Sequence, residues 1–172
     1  MSDLEASAAG RRGWEELARD AVGARTEGEV LEEMRRLLTF EVDATPYAVA
    51  VERVREIVRI RPITPIPRVS QDVRGIISLR GEIVEVVDLR RRLDLPPVEP
   101  TRSTRIIVVN GEDGRVAGML VDAVREVLSV SEDSIRPAVG GEAEAVESLC
   151  ACGEKFISLI DLDRILQIDA DC

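Results

Sequence analysis

The sequence of 172 residues contains no histidine and few aromatic side chains: one Trp, one Tyr and two Phe. Without histidine the chain lacks the commonest general base and cannot carry a phosphohistidine. A core with so few rings must be aliphatic, and the abundance of Val and Ile favours strands. No apolar run approaches the roughly 20 residues of a membrane span. The N-terminus also lacks the apolar segment of a secretory signal, so the sequence predicts a soluble protein of the cell interior.

The chain is also poor in cysteine, with only Cys150, Cys152 and Cys172. The spacing of the first two is C-x-C, whereas redox and zinc sites use C-x-x-C, and no histidine is present to complete a ligand set. The sequence therefore predicts reduced thiols and no metal site.

Acidic residues outnumber basic ones, with 33 Asp and Glu against 23 Lys and Arg, so the formal net charge is −10. Nucleic-acid binding needs a basic surface and, for single strands, stacked aromatic rings. The run Arg90-Arg91-Arg92 is one candidate for a local basic patch, and it is interpreted as the solvated side of a short helix. The sequence argues against a nucleic-acid ligand.

Carboxylates are plentiful, but structural roles at helix starts and strand ends account for them, and no phosphate-binding loop or nucleophile motif is present. The sequence therefore predicts no catalytic activity and no cofactor. A module that binds other proteins is the remaining class, since small β-domains offer strand edges and apolar grooves to partner strands or helices.

The sequence repeats itself with an offset of about 70 residues. VERVREIVRI at residues 51–60 recurs as VDAVREVLSV at residues 121–130. EIVEVVDLRRRL, ending at Leu93, recurs as KFISLIDLDRIL, ending at Leu166. Asp88 and Asp161 occupy equivalent positions, where an Asp side chain can accept from the amides that begin a helix. The pattern predicts two related units, each ending in a short helix.

Each unit is predicted to form a small five-stranded β-barrel, which would protect the sheet edges. The predicted strands of the first unit are 37–42, 47–51, 54–60, 75–79 and 83–87. Those of the second unit are 105–109, 116–121, 124–130, 148–152 and 156–160. Residues 1–36 are predicted to be an N-terminal extension, either a disordered or loosely docked tail, a helix packed on the body or a tether to a partner. Within this part of the chain, residues 27–38 have the pattern of a helical segment. The remainder, 37–168, is predicted to be one domain with subdomains at about 37–97 and 104–168.

The segment GIISLRGEIVEVVDLR, residues 75–90, resembles the signature of the CheW family of bacterial chemotaxis adaptors. It departs from the family pattern at Ser78, where Asn is usual, and at Glu85, where Pro is common. The resemblance implies a pair of SH3-like barrels. It also implies a cytoplasmic adaptor, recruited to membrane receptor arrays, that joins the helical tip of chemoreceptors to the regulatory domain of a CheA-type histidine kinase.

The same resemblance implies six partner-binding positions: Val54, Glu56, Gly75, Arg80, Val124 and Val127. Each valine could equally be barrel core, and Arg80 could instead form an internal salt bridge with Asp88 or Glu82. Two related functions stay open: an adaptor in a chemosensory pathway with an output other than motility, and a module that inhibits the kinase without contacting receptors.

Overall fold

The structure, a computed structural model, describes residues 33–139 and 145–167. These residues form eleven strands, two short α-helices and two single-turn 3₁₀ helices (Val51–Arg53 and Glu132–Ser134), which confirms the prediction of a mainly β protein. The strands are β1 (Met34–Val42), β2 (Thr45–Ala50), β3 (Val54–Arg59), β4 (Val73–Leu79), β5 (Glu82–Asp88), β6 (Arg105–Asn110), β7 (Val116–Val121), β8 (Ala123–Ser131), β9 (Ile135–Pro137), β10 (Val146–Cys152) and β11 (Lys155–Ile160). The helices are α1 (Leu89–Arg92) and α2 (Leu162–Leu166).

The strands form a six-stranded sheet and a five-stranded sheet. The order in the first, sheet A, is β8-β1-β2-β11-β10-β9, and in the second, sheet B, it is β3-β6-β7-β5-β4. Each sheet therefore contains strands of both sequence repeats, so the grouping of strands into one barrel per repeat is wrong. The hairpin that opens each repeat, β1–β2 or β6–β7, pairs with strands of the other repeat.

Closed barrels are not found among the described residues. In sheet B the end strands β3 and β4 form no ladder with each other. The loop after β3 nevertheless reaches β4, because the backbones of Thr64 and Ile76 exchange two hydrogen bonds of 2.9 Å. The sheet thus curls until its two ends come close without pairing.

Each sheet contributes buried side chains from both faces, because it packs against the other sheet on one face and curls around a smaller core on the other. The core between the sheets includes Phe40 and Val42 of sheet A, and Ile107 and Met119 of sheet B, and all four are fully buried. A second cluster lies inside the curl of sheet B, and a third inside the curl of sheet A.

The strand β1 begins at Met34, so the predicted helix over 27–38 is wrong for residues 34–38. The part of that prediction before residue 33 lies outside the described residues, as does most of the predicted extension. Leu37 belongs to the core inside sheet A and Leu38 to the core between the sheets. A strand that is buried on both faces has apolar residues at consecutive positions. Such a run also fits the apolar side of a helix, and for this reason the sequence pattern predicted a helix here.

The helix starts predicted at Asp88 and Asp161 are confirmed. Asp88 accepts a hydrogen bond from the Arg90 amide at 3.0 Å, and Asp161 accepts one from the Arg164 amide at 3.1 Å. Neither helix, nor any other described helix, has the length and apolar character needed to cross a membrane.

Candidate protein-binding site

Four apolar side chains on the edge strands β3 and β8 border the core between the two sheets. Val54 and Val124 are half-buried and pack against that core. Ile57 pairs in register with the buried Ile107, so it lies on the same face of its sheet, and it is 41% exposed. The name core-edge surface is used below for Val54 and Ile57 on β3 together with Val124 and Val127 on β8, because both pairs border the same core.

Val127 occupies on β8 the place that Ile57 occupies on β3. It pairs in register with the buried Leu38 and is 45% exposed. Three of the four members, all valines, were predicted from the sequence as partner-binding residues, and Ile57 was not. The repeat contained the signal, because aligning residues 51–60 with 121–130 places Ile57 opposite Val127. These residues are therefore neither plain core nor isolated surface side chains, since each contributes apolar area at the rim of the core.

Glu56 points to the other face of β3 and forms an ion pair with Arg80 at 3.2 Å. The side chain of Arg80 is 81% exposed and that of Glu56 21%. Asp88 and Glu82, the partners that sequence analysis considered for Arg80, pair with other arginines, and Glu82 pairs with Arg55 at 2.8 Å. Two ion pairs thus join β3 to the tip of the β4–β5 hairpin, and the guanidinium of Arg80 remains largely open to water.

Gly75 is buried in β4 and does not lie at the surface. A Cβ atom at this position would sit 2.1 Å from the carbonyl oxygen of Thr64, and the backbone φ is +143°. Only glycine allows the loop after β3 to approach this closely. Its assignment to partner binding stays a prediction, and the packing of the loop explains why glycine is needed here.

Arg90 is buried, so the prediction that it lies in water is wrong, and the other two arginines of its run are only half-exposed. The guanidinium donates to both carboxylate oxygens of Asp122 and, at 2.9 Å, to the carbonyl of Pro96. It also lies 3.5 Å from a carboxylate oxygen of Asp43. One side chain thus connects α1 to the β7–β8 junction and to the β1–β2 turn.

The carboxylate of Asp122 is shared between two of these elements. One of its oxygens also accepts from the backbone amide of Asp43 at 2.8 Å. Burial alone would raise the pKa of Asp122, but the hydrogen bonds from Arg90 and from the Asp43 amide, with the charge of Arg90, outweigh it and lower the pKa. Asp122 is therefore ionised at neutral pH and holds the turn in place.

A second tie joins the two repeats on another side of the molecule. Arg53, which precedes β3, donates to the carboxylate of Asp163 in α2 at 2.8 Å and to the carbonyl of Asn110 at the same distance. The hydrogen bond from Arg53 is the main reason that the pKa of Asp163 is lowered. These ties fix β3, and with it half of the core-edge surface, relative to the second repeat.

The described residues bring together no group of three or more His, Cys, Asp and Glu side chains that could share a metal ion. Two of the three cysteines are described: Cys150 is buried and Cys152 is half-buried, and neither forms a disulfide. Burial, followed by the neighbouring Cys152, raises the pKa of Cys150. The thiol of Cys150 is therefore protonated and packs as a small apolar side chain.

Comparison with known proteins matches almost all of the described part of the chain. The family model of the CheW-like domain matches residues 36–170. The chemotaxis protein CheW of Rhizobium meliloti is 36% identical over 135 residues, which cover 76% of this chain and 86% of that protein. CheW of Bacillus subtilis is 33% identical over the same shares. The crystal structure of the scaffolding protein TtCheW from Thermoanaerobacter tengcongensis superimposes with a TM-score of 0.74 at 30% identity, covering 80% of this chain and 96% of that one.

Proposed function

The chain belongs to the family of CheW-like domains, and from this membership we infer that it is a chemotaxis adaptor. We propose that it couples the cytoplasmic helical tip of chemoreceptors to the regulatory domain of a CheA-type histidine kinase. In this role it binds two proteins at once, catalyses no reaction and needs no cofactor. It works in the cytoplasm and is recruited to the receptor arrays at the membrane.

The observation that carries the proposal is the exposure of Ile57 and Val127 at the rim of a buried core. An amphipathic helix binds by laying its apolar side on such a surface, and each apolar side chain that leaves water contributes about 25 cal/mol per Å². The ion pairs of Arg53 and Arg90 hold both edge strands on one rigid frame. We therefore assign the core-edge surface to the receptor helix.

Arg80 offers the receptor a second contact at the tip of the β4–β5 hairpin, which its ion pair with Glu56 joins to the other face of β3. Its planar guanidinium has several donors, and the single contact to Glu56 leaves most of them available to a partner. The proposal therefore includes Glu56 as the residue that orients Arg80 toward the receptor. The domain limits predicted at 37–168, with subdomains at about 37–97 and 104–168, are part of this proposal.

A capture experiment tests the proposal. The immobilised chain is incubated with a CheA-type kinase and with the cytoplasmic hairpin fragment of a methyl-accepting receptor, both from the same organism, first separately and then together. A coupling adaptor captures each protein alone and retains both together. Capture of the kinase without the receptor fragment would identify a kinase-inhibiting module and contradict the proposal.

If both partners are captured, deletion of the gene distinguishes the motility pathway from a pathway with another output. Loss of directed swimming supports chemotaxis. Unaffected swimming would assign the adaptor to a different chemosensory pathway.

A further inference from the structure

Two arginines face each other directly across neighbouring strands of sheet B. Arg59, the last residue of β3, pairs in register with Arg105, the first residue of β6. Arg59 is exposed and Arg105 half-buried, and neither forms an ion pair with any described carboxylate. Like charges directly opposite each other destabilise a sheet. The pair therefore violates a local rule of sheet stability without a visible compensation inside the described part of the fold.

The second repeat shows that the fold does not require this pair. Arg36 on β1 is the counterpart of Arg105 on β6. Arg105 lies two residues before Ile107, the partner of Ile57. Arg36 lies two residues before Leu38, the partner of Val127. The residue opposite Arg36 is Ser129, the counterpart of Arg59. An uncharged side chain thus occupies the equivalent place in the same molecule. Local rules of this kind are broken mainly at functional sites.

The arginine pair lies beside the core-edge surface. Ile57 and Arg59 are two residues apart on the same strand, so their side chains share a face and are separated by about 6.6 Å along β3. In a helix, four residues span about 6 Å. A helix that runs along β3 with an apolar residue on Ile57 therefore places the residue three or four positions away beside Arg59.

Arg105 is also held in position for such a contact. One terminal nitrogen of its guanidinium donates to the carbonyl oxygens of Arg102 and Thr104, at 2.7 and 2.8 Å. These bonds fix the orientation of the guanidinium, and they leave its other terminal nitrogen without a described acceptor. The charge itself is not neutralised, because both acceptors are carbonyl groups.

We propose that Arg59 and Arg105 bind a carboxylate of the helical partner that lies on the core-edge surface. The acidic residue of the partner stands three or four positions from the apolar residue that contacts Ile57. This inference rests on the proposed function and adds to it the charge and spacing that the receptor helix must have. Two guanidinium groups can donate to both oxygens of one carboxylate, which gives specificity as well as attraction.

Stability and binding should respond in opposite directions to one substitution. Arg59→Glu replaces a repulsive cross-strand pair by an attractive one, so we expect the midpoint of urea unfolding to rise. The same substitution should weaken binding of the receptor hairpin fragment about tenfold at 0.1 M salt, and by less than about twofold at 1 M, because the Debye length falls from about 10 to about 3 Å. If Arg59 had only a structural role, Arg59→Glu would instead lower the midpoint of urea unfolding.

The control is Arg68→Glu, which reverses the charge of an exposed arginine in the loop between β3 and β4. It should leave the affinity for the receptor fragment unchanged. Arg59→Gln gives a milder version of the test and should weaken binding without lowering stability. Each acidic residue of the receptor fragment is also changed to Lys, and one of these variants should regain affinity for the Arg59→Glu chain.

Four results would overturn the inference: a lower unfolding midpoint for Arg59→Glu, an unchanged affinity, no rescue by any Lys variant, or a loss of kinase binding with receptor binding intact. If the unmodified chain does not bind the receptor fragment at all, the proposed function is wrong, and so is the inference that rests on it. The two failures are thereby distinguished.

Discussion

Replacing Arg90 with Ala removes the side chain that ties three elements of the fold together. The substitution leaves the carboxylate of Asp122 without its charged partner and the carbonyl of Pro96 without its donor. Breaking a buried ion pair by deleting one member costs about 3–5 kcal/mol. The Asp122 side chain is 29% exposed, and water can partly replace the lost contact, so we expect a loss of about 2–4 kcal/mol.

Urea unfolding followed by circular dichroism measures this loss. Arg91→Ala is the matched control, since Arg91 is the next residue, is more exposed and makes its hydrogen bond to the carbonyl of Gln71. We expect Arg91→Ala to cost less than about 1 kcal/mol. The double variant Arg90→Ala/Asp122→Ala should be more stable than the sum of the two single losses predicts, by about 1–3 kcal/mol.

The pH dependence of the same variants gives an independent test. The pKa of Asp122 is lower in the folded chain than its unfolded value of about 3.9. The stability that it contributes is therefore complete above that value and is lost as the pH falls through the folded pKa. The unmodified chain should lose more stability than Arg90→Ala over this acidic window. Equal acid sensitivity of the two proteins, or a cost of Arg90→Ala below about 1 kcal/mol, would refute the role given to Arg90.

Two other substitutions have clear expected results. Gly75→Ala should destabilise the chain by at least about 2 kcal/mol in urea unfolding, because the added methyl group collides with the backbone of Thr64. In the control Gly81→Ala the methyl group meets no atom within 4 Å, so this variant should cost only about 1 kcal/mol for its positive φ. Equal costs would show that the close approach of the loop to Gly75 is unimportant. Arg80→Ala should change the free energy of unfolding by less than about 1 kcal/mol, because the Arg80 side of the ion pair with Glu56 is largely exposed. The same variant should capture less of the receptor fragment. A large loss of stability with normal capture would show that Arg80 is a structural residue.

The local elements were predictable because their causes lie within a few residues. The side chains of Asp88 and Asp161 reach backbone amides two and three residues ahead. Such short-range chemistry is readable in one sequence. The repeat likewise revealed that two equivalent units exist.

The pairing of strands between the repeats could not be read in the same way. Alternation of apolar and polar residues specifies which side of a strand is buried, but it does not specify the neighbouring strand. A hairpin such as β1–β2 satisfies the same pattern whether it pairs within its own repeat or with β8 and β11 of the other.

The burial of Arg90 was missed for a related reason. A run of three arginines on a short helix is usually solvated, and the carboxylate that pairs with the buried Arg90 belongs to Asp122, which is 32 positions away in the chain. The candidate site was partly predictable: its valines follow from the family resemblance, and Ile57 follows from the repeat. The exposure on which their proposed binding role rests depends on where each sheet ends.

The most direct test of the account is the affinity of the receptor hairpin fragment for a chain with the double substitution Ile57→Asp/Val127→Asp. Titration calorimetry is applied to this variant, to the unmodified chain and to the control Phe156→Asp. The control also places an Asp at an exposed apolar residue, because the Phe156 ring is 66% exposed, but it lies outside the core-edge surface. We expect the double variant to lose receptor binding while it still binds the kinase, and the control to bind both partners normally. Receptor binding that survives the double substitution, in a chain that remains folded, would contradict the account.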